Sequence, residues 1–146
     1  MKKTITKEFQ FDSAHRLYDD DLSEEENERI FGKCTNLHGH TYKLFVTISG
    51  EERYGMIINF TNLKHIVNQN VIDIFDHKYL NEVPEMRGKL TTCENQIKVI
   101  WHLLVNELYS QGVILEEIKL YETPTSYCTL SKPHYYMGAD LANENQ

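Results

Sequence analysis

The sequence predicts an α+β domain: one antiparallel sheet with two helices packed on a single face, in the order β-β-α-α-β-β. Three observations predict it. Residues 4–15 and 40–50 alternate apolar and polar side chains with a period of two. Residues 61–74 and 91–108 switch to a helical period. Residues 114–122 and 126–131 return to alternation across a Pro-Thr turn.

Each element has its own signal. In TITKEFQFDSAH, residues 4–15, Phe9, Phe11, Ser13 and His15 share one strand face. YDDDLSEEENERIFGK, residues 18–33, is acidic and polar and reads as a loop or a short exposed helix. In the second strand Tyr42, Leu44, Val46 and Ile48 point one way, and Gly50 ends it. NFTNLKHIVNQNVIDIF puts Leu63, Ile66, Val67, Val71 and Ile74 on the stripe of an amphipathic helix that starts near Thr61. DHKYLNEVPEMRGK, residues 76–89, follows as a loop. The second helix opens at TTCE, where Thr91 and Glu94 fit a capping box. Its stripe is Ile97, Ile100, Trp101, Leu104, Val105 and Leu108, and Gly112 stops it. ILEEIKLYE puts Ile118 and Leu120 on one face of a strand, and SYCTLS offers it a short partner.

No repeat, linker or second domain is visible. Residues 1–131 read as one domain, and 132–146 as a polar, frayed tail. Four strands leave two open edges. Closing several such sheets into a shared barrel removes them, so a homo-oligomer is expected.

Composition excludes several classes. The chain has 146 residues, 40% of them hydrophobic and 25% charged, which suits one globular core. Its formal charge of −7 argues against a nucleic-acid partner, which needs a basic face. No run of about 18 apolar residues is present to span a membrane, and MKKTITKEF lacks the apolar segment of a signal peptide. Cys34, Cys93 and Cys128 are odd in number and widely spaced, so a disulfide framework is not expected and a reducing cytoplasm is. Cys93 and Cys128 read as packing residues.

The chemistry concentrates in CTNLHGHTY. Side chains two apart on a strand point the same way, with Cα atoms roughly 6–7 Å apart. His38 and His40 can therefore converge on one Zn²⁺ at about 2.0–2.1 Å each. Gly39 between them reads as room for a close approach. His15 ends the first strand on its apolar face. If that strand pairs with the second, it supplies a third imidazole and leaves a fourth metal position open, as catalytic zinc sites do. The alternative is a polar strand end meeting solvent, with His15 a hydrogen-bonded core histidine. His65, His102 and His134 lack such partners and read as surface residues.

Cys34 is either a thiol activated by a nearby metal or a small buried hydrophobe. In Asp76-His77 the aspartate can fix the histidine's tautomer, although adjacent residues often point apart. Glu122 follows Ile118 and Leu120 in the inward register, where a carboxylate needs a partner. A ligand with two adjacent N–H groups, such as a 2-amino-4-oxo pterin or a guanine edge, would supply one. The alternative is that the strand has ended and Glu122 meets water. Thr92 either contacts a ligand or caps the helix.

FDSAHRL, CTNLHGHTY, GMIINFTNLK, FDHKYLN, TTCEN and KLYET, in this order, resemble the 6-pyruvoyl-tetrahydropterin synthase / 6-carboxy-tetrahydropterin synthase family over residues 5 to 131. The resemblance implies the tunnelling fold (T-fold), with trimers closing a barrel and two trimers stacked as a homohexamer. It implies a zinc-dependent lyase acting on 7,8-dihydroneopterin triphosphate. Zinc ligands fall on His15, His38 and His40, the catalytic cysteine on Cys34, and the Asp-His pair on Asp76 and His77. The pterin anchor falls on Glu122, with Thr92 beside it. The metal would acidify the substrate side chain as a Lewis acid, and triphosphate would leave. A branch of the family carries glutamate in place of the cysteine, and Cys34 argues against that branch.

The resemblance offers two products. The short CTNLHGH spacing resembles bacterial carboxy enzymes, which release acetaldehyde and 6-carboxy-tetrahydropterin for queuosine synthesis. That product is expected here. The longer segment RLYDDDLSEEENERIFGKC resembles animal pyruvoyl enzymes, which keep the three-carbon side chain and serve tetrahydrobiopterin synthesis; this is the alternative.

Overall fold

Strand β1, Thr4–His15, buries Phe9, Phe11, Ser13 and His15 and turns the residues between them outward, as the alternation requires. The computed structural model describes residues 1–133. Strand β2, His38–Gly50, starts two residues earlier than its alternation indicates. It pairs with β1 antiparallel from Thr4↔Ser49 to His15↔His38. Strand β4, Val113–Thr123, lies on the other side of β2, and β5, Ser126–Ser131, pairs with β4. A two-residue strand β3, Lys78–Tyr79, runs parallel to β1 beside Ser13 and Ala14.

The sheet order is β3-β1-β2-β4-β5. The sheet is therefore mixed and five-stranded, where a four-stranded antiparallel one was expected. Two residues are too few to show a period, so the segment 76–89 hides a strand inside what reads as a loop. Two short 3₁₀ turns, Leu80–Glu82 and Pro84–Met86, complete that segment.

The acidic segment resolves to the helix alternative. Helix α1, Glu24–Phe31, is capped by Ser23, whose hydroxyl accepts from the Glu26 N–H. Glu24, Glu25 and Glu26 in its first turn favour the positive end of the helix dipole. Asn27 is buried on this otherwise polar helix because it accepts from the Asp19 N–H and donates to the Asp19 and Ser23 carbonyls.

Helix α2, Phe60–Val67, is capped by Asn59 and runs through a π-helical turn, Asn68–Ile72, into a final turn α3, Asp73–Phe75. The buried stripe is Leu63, Val67, Val71 and Phe75, while Ile66 and Ile74 are only partly covered. At 3.6 residues per turn Phe75 would lie about 120° round from Leu63. The wider π turn brings it back to the core and sets the direction in which Asp76 and His77 leave the helix.

Helix α4, Cys93–Ser110, buries Ile97, Ile100, Trp101, Leu104, Val105 and Leu108, as its stripe predicts. Its cap is Thr92, whose hydroxyl accepts from the Asn95 N–H at 3.2 Å; the expected Thr91/Glu94 box does not form. Thr91 is instead drawn fully into the core by hydrogen bonds to the sheet. The helices pack against the face carrying Phe11, Tyr42, Leu44, Val46, Ile48, Ile118 and Leu120, in one hydrophobic core. Lys132 still donates its backbone N–H to Glu116 at 2.8 Å, so the pairing runs past β5; residues 134–146 of the expected tail, with His134, lie outside the described residues.

Candidate metal centre and active site

The last rung of the β1–β2 ladder pairs His15 with His38, and His40 lies opposite Ser13 on the same inner face. The ring centroids are 4.6 Å apart for His15–His38, 5.2 Å for His15–His40 and 5.0 Å for His38–His40. One ligand nitrogen from each lies within 4.8 Å of the other two. The strand spacing and the full-length pairing produce this convergence without help from a loop.

Backbone carbonyls fix the tautomers. His15 donates Nδ1–H to the Thr91 carbonyl at 2.8 Å, and His38 donates Nδ1–H to the Asn36 carbonyl at 2.7 Å. Each ring then presents its Nε2 lone pair, the usual arrangement for metal-binding histidines. His15 Nε2 and His40 Nε2 are buried and have no hydrogen-bond partner among the described residues. Burial drives His15 down to about 4, with the Thr91 hydrogen bond opposing and the neighbouring rings adding a little. Burial also lowers His40, against the pull of Glu122. Neutral imidazoles with unpaired Nε2 atoms fit a borderline cation such as Zn²⁺.

The wall behind the cluster is a layer that sequence patterns do not single out. Tyr42 is fully buried, with its ring 5.6 Å from His40 and 6.3 Å from His15. Gln96 donates to the Tyr42 hydroxyl at 3.3 Å and to the Thr91 carbonyl at 2.9 Å. The one available signal was a polar Gln96 beside an apolar helix stripe. At Gly39 the space is ordinary: an added Cβ would sit 3.5 Å from the Ser13 carbonyl oxygen, so no unusually close approach requires glycine there.

Glu122 faces the cluster, with Oε1 3.6 Å from His40 Nε2. The strand continues to Thr123, with an irregularity in the pairing around residue 122. The inward alternative therefore describes Glu122, not a strand end meeting water. Thr92 makes the capping contact, one residue from the Thr91 carbonyl that holds His15. Cys34 is a free, half-buried thiol in the turn Gly32–Thr35, and its carbonyl accepts from the Leu17 N–H at 2.8 Å, two residues beyond His15.

Asp76 and His77 form a separate cluster with Asp12, on the side of β1 that pairs with β3. Adjacent side chains meet here because His77 has φ 57°, a left-handed conformation uncommon outside glycine. His77 donates Nδ1–H to Asp76 Oδ2 at 2.9 Å and its backbone N–H to the Asp12 carbonyl at 2.7 Å. Asp12 returns its own N–H to Asp76 Oδ1 at 2.9 Å, and this bond is the main cause holding the Asp76 carboxyl below its ordinary range. The His77 ring is 78% exposed. A shallow cavity of about 570 Å³ is lined by both His40 and His77. Among the basic residues, Lys43 faces Glu8 at 3.5 Å, whereas Arg16 and Lys89 line a cleft of about 810 Å³ together with Asp19, Asp20 and Asp21.

A helix-backed sheet with three imidazoles at its strand ends and an inward carboxylate beside them defines a T-fold protein with a metal-capable site. The family profile described as 6-pyruvoyl tetrahydropterin synthase matches residues 4–133. A 6-pyruvoyl tetrahydrobiopterin synthase of Dictyostelium discoideum is 46% identical over 87% of this chain and 96% of its own. A 6-carboxy-5,6,7,8-tetrahydropterin synthase of Haemophilus influenzae is 35% identical over 85% of this chain and 95% of its own. The solved structure of the Caenorhabditis elegans 6-pyruvoyl tetrahydropterin synthase superposes with a TM-score of 0.77 at 30% identity, covering 91% of this chain and 97% of that one. The chain belongs to the 6-pyruvoyl tetrahydropterin synthase family.

Proposed function

We propose that this chain is a zinc-dependent lyase that converts 7,8-dihydroneopterin triphosphate to 6-pyruvoyl-tetrahydropterin and triphosphate. The observation that carries the product is the 46% identity to the Dictyostelium discoideum pyruvoyl synthase over nearly all of that protein. It outweighs the CTNLHGH spacing, which pointed to the carboxy product. That spacing and the Haemophilus influenzae relative support 6-carboxy-tetrahydropterin as the second reading.

His15, His38 and His40 would hold the zinc through their Nε2 atoms. When bound, the metal supplies Lewis-acid polarisation of the substrate's side-chain hydroxyls. Glu122 would accept the paired N–H groups of the pterin edge, with Thr92 beside it at the start of α4. Cys34, ionised, would remove a proton from the side chain. His77, held by Asp76 through Nδ1, has Nε2 free to carry protons. Elimination of triphosphate and an internal redox rearrangement then need no organic cofactor.

Residues 1–131 form one synthase domain in this reading. The free edges of β3 and β5 support assembly into a homohexamer, and three free thiols fit a reducing cytoplasm. The purified protein incubated with dihydroneopterin triphosphate is expected to release triphosphate without acetaldehyde. Acetaldehyde would assign the carboxy product, and no triphosphate at all would overturn the enzymatic reading.

A further inference from the structure

Two cysteines outside this set lie in contact. Cys93 is the first residue of α4, directly after the Thr92 cap. Cys128 lies in β5 opposite Leu120 of β4. Opposed residues of an antiparallel pair share a face, and Leu120 is fully buried in the core under α4, so Cys128 faces that helix. The two sulfurs are 2.9 Å apart, and Cys93 Sγ is also 3.3 Å from the Leu120 carbonyl oxygen. A bonded pair is about 2.04 Å apart, so closure needs about 0.9 Å of travel.

Both thiols are half-buried and uncrosslinked. A metal cage is disfavoured: among the described residues, the groups close enough to share an ion are His15/His38/His40 and Asp12/Asp76/His77, and the cysteine pair joins neither.

We propose that Cys93 and Cys128 form a peroxide-sensitive modification site, closing to a disulfide that staples the N-terminus of α4 to β5. Contact with the Cys93 thiol draws Cys128 down, while the same contact, with burial, pushes Cys93 up, so Cys128 is the sulfur that ionises first. Its thiolate attacks hydrogen peroxide; an S–O bond forms, the O–O bond breaks, and hydroxide leaves and is protonated to water. The Cys93 thiol then attacks the sulfenic sulfur. The S–S bond forms, the S–O bond breaks, and the hydroxyl departs with the Cys93 proton as a second water. The two sulfurs together lose two electrons, and one peroxide takes them. In reducing solution the pair returns to the dithiol. This chemistry does not depend on the synthase reading. If that reading holds, the staple joins the start of α4, beside Thr92, to the strand paired with the one that carries Glu122.

The test uses the full chain. The protein is exposed to limited hydrogen peroxide, remaining thiols are blocked with N-ethylmaleimide, and trypsin, which cuts between the pair at Lys98 and Lys119, releases the peptides for mass spectrometry. The expected result is a Cys93–Cys128 linked peptide that dithiothreitol separates, with Cys34 recovered as its maleimide adduct. The oxidised protein is also expected to melt several degrees higher, reversibly with dithiothreitol, and Cys93→Ser or Cys128→Ser to remove both effects. Recovery of both cysteines as blocked thiols, or their linkage to Cys34 or to a second chain, overturns the proposal.

Discussion

At the scale of single residues, the proposed site separates into groups assigned to binding and groups assigned to reaction. Cys34→Ala removes a thiol whose backbone is tied to Leu17, two residues beyond His15, and leaves all three imidazoles in place, so zinc and pterin should bind as before. Triphosphate release should fall at least ~100-fold, as for loss of a general base. Stopped assays read against metal content check this, and unchanged turnover would take Cys34 out of the mechanism. Glu122→Gln leaves the volume but removes the charge proposed to accept the paired N–H groups. Pterin affinity should drop ~10-fold or more, an order expected for a lost charge-assisted pair, while bound zinc stays at one per chain by atomic absorption. His15 gives a pH prediction for the metal-free protein. Its folded value, about 4, lies below the unfolded value of 6.5, so the unfolded chain binds the proton first. Stability should therefore decline as pH falls from about 6.5 towards 4, by up to about 3 kcal/mol. Denaturant midpoints across that range test it, and a flat profile would contradict a neutral buried His15. The three imidazoles were legible from sequence because strand geometry fixes where residues two apart point. The Thr91, Gln96 and Tyr42 layer was not, because Thr91 and Gln96 are distant in sequence from Tyr42 and His15 and meet them only through packing. The Cys93–Cys128 contact was missed for the same reason.

At the scale of elements, alternation located β1, β2, β4 and β5, because one face of each is buried and the other is not. It failed at β3, which is two residues long and is held by backbone pairing with β1. Helical periodicity found the course of α2 and its buried Leu63, Val67 and Val71, but misplaced the end of the stripe, since a π turn leaves no mark in a hydrophobic pattern. The capping box of α4 was expected at Thr91, one residue early, with Thr92 as the alternative cap that the structure shows. TTCE offers two threonines, and only the tertiary hydrogen bonds of Thr91 decide between them. Thr92→Ala should cost about 1 kcal/mol by loss of the cap, with Thr92→Ser restoring most of it. Urea unfolding of the metal-free protein reads this cost, and an unaffected midpoint would argue that the hydroxyl does not cap the helix in solution.

At the scale of the whole molecule, a sheet bounded by β3 and β5 presents backbone donors and acceptors on both sides. Sedimentation at micromolar concentration should show a hexamer, and a stable monomer would leave those edges unexplained. Chelation should lower the melting temperature and restored zinc should raise it with concentration, because an ion that binds only folded chains stabilises by mass action. A melting temperature indifferent to zinc would count against the three-histidine site.

The ladder between β1 and β2 is long, yet nothing local sets its alignment: residues 16–37 separate the two strands, so no tight turn dictates where they meet. A slip of one position would turn one strand's imidazoles to the opposite side of the sheet from the other's and dismantle the triad. If the triad holds zinc as proposed, capture of the cation would act as a proofreading step in assembly, rewarding only hairpins zipped in the native frame, and a chain made in zinc-starved cells would be the one most exposed to misalignment.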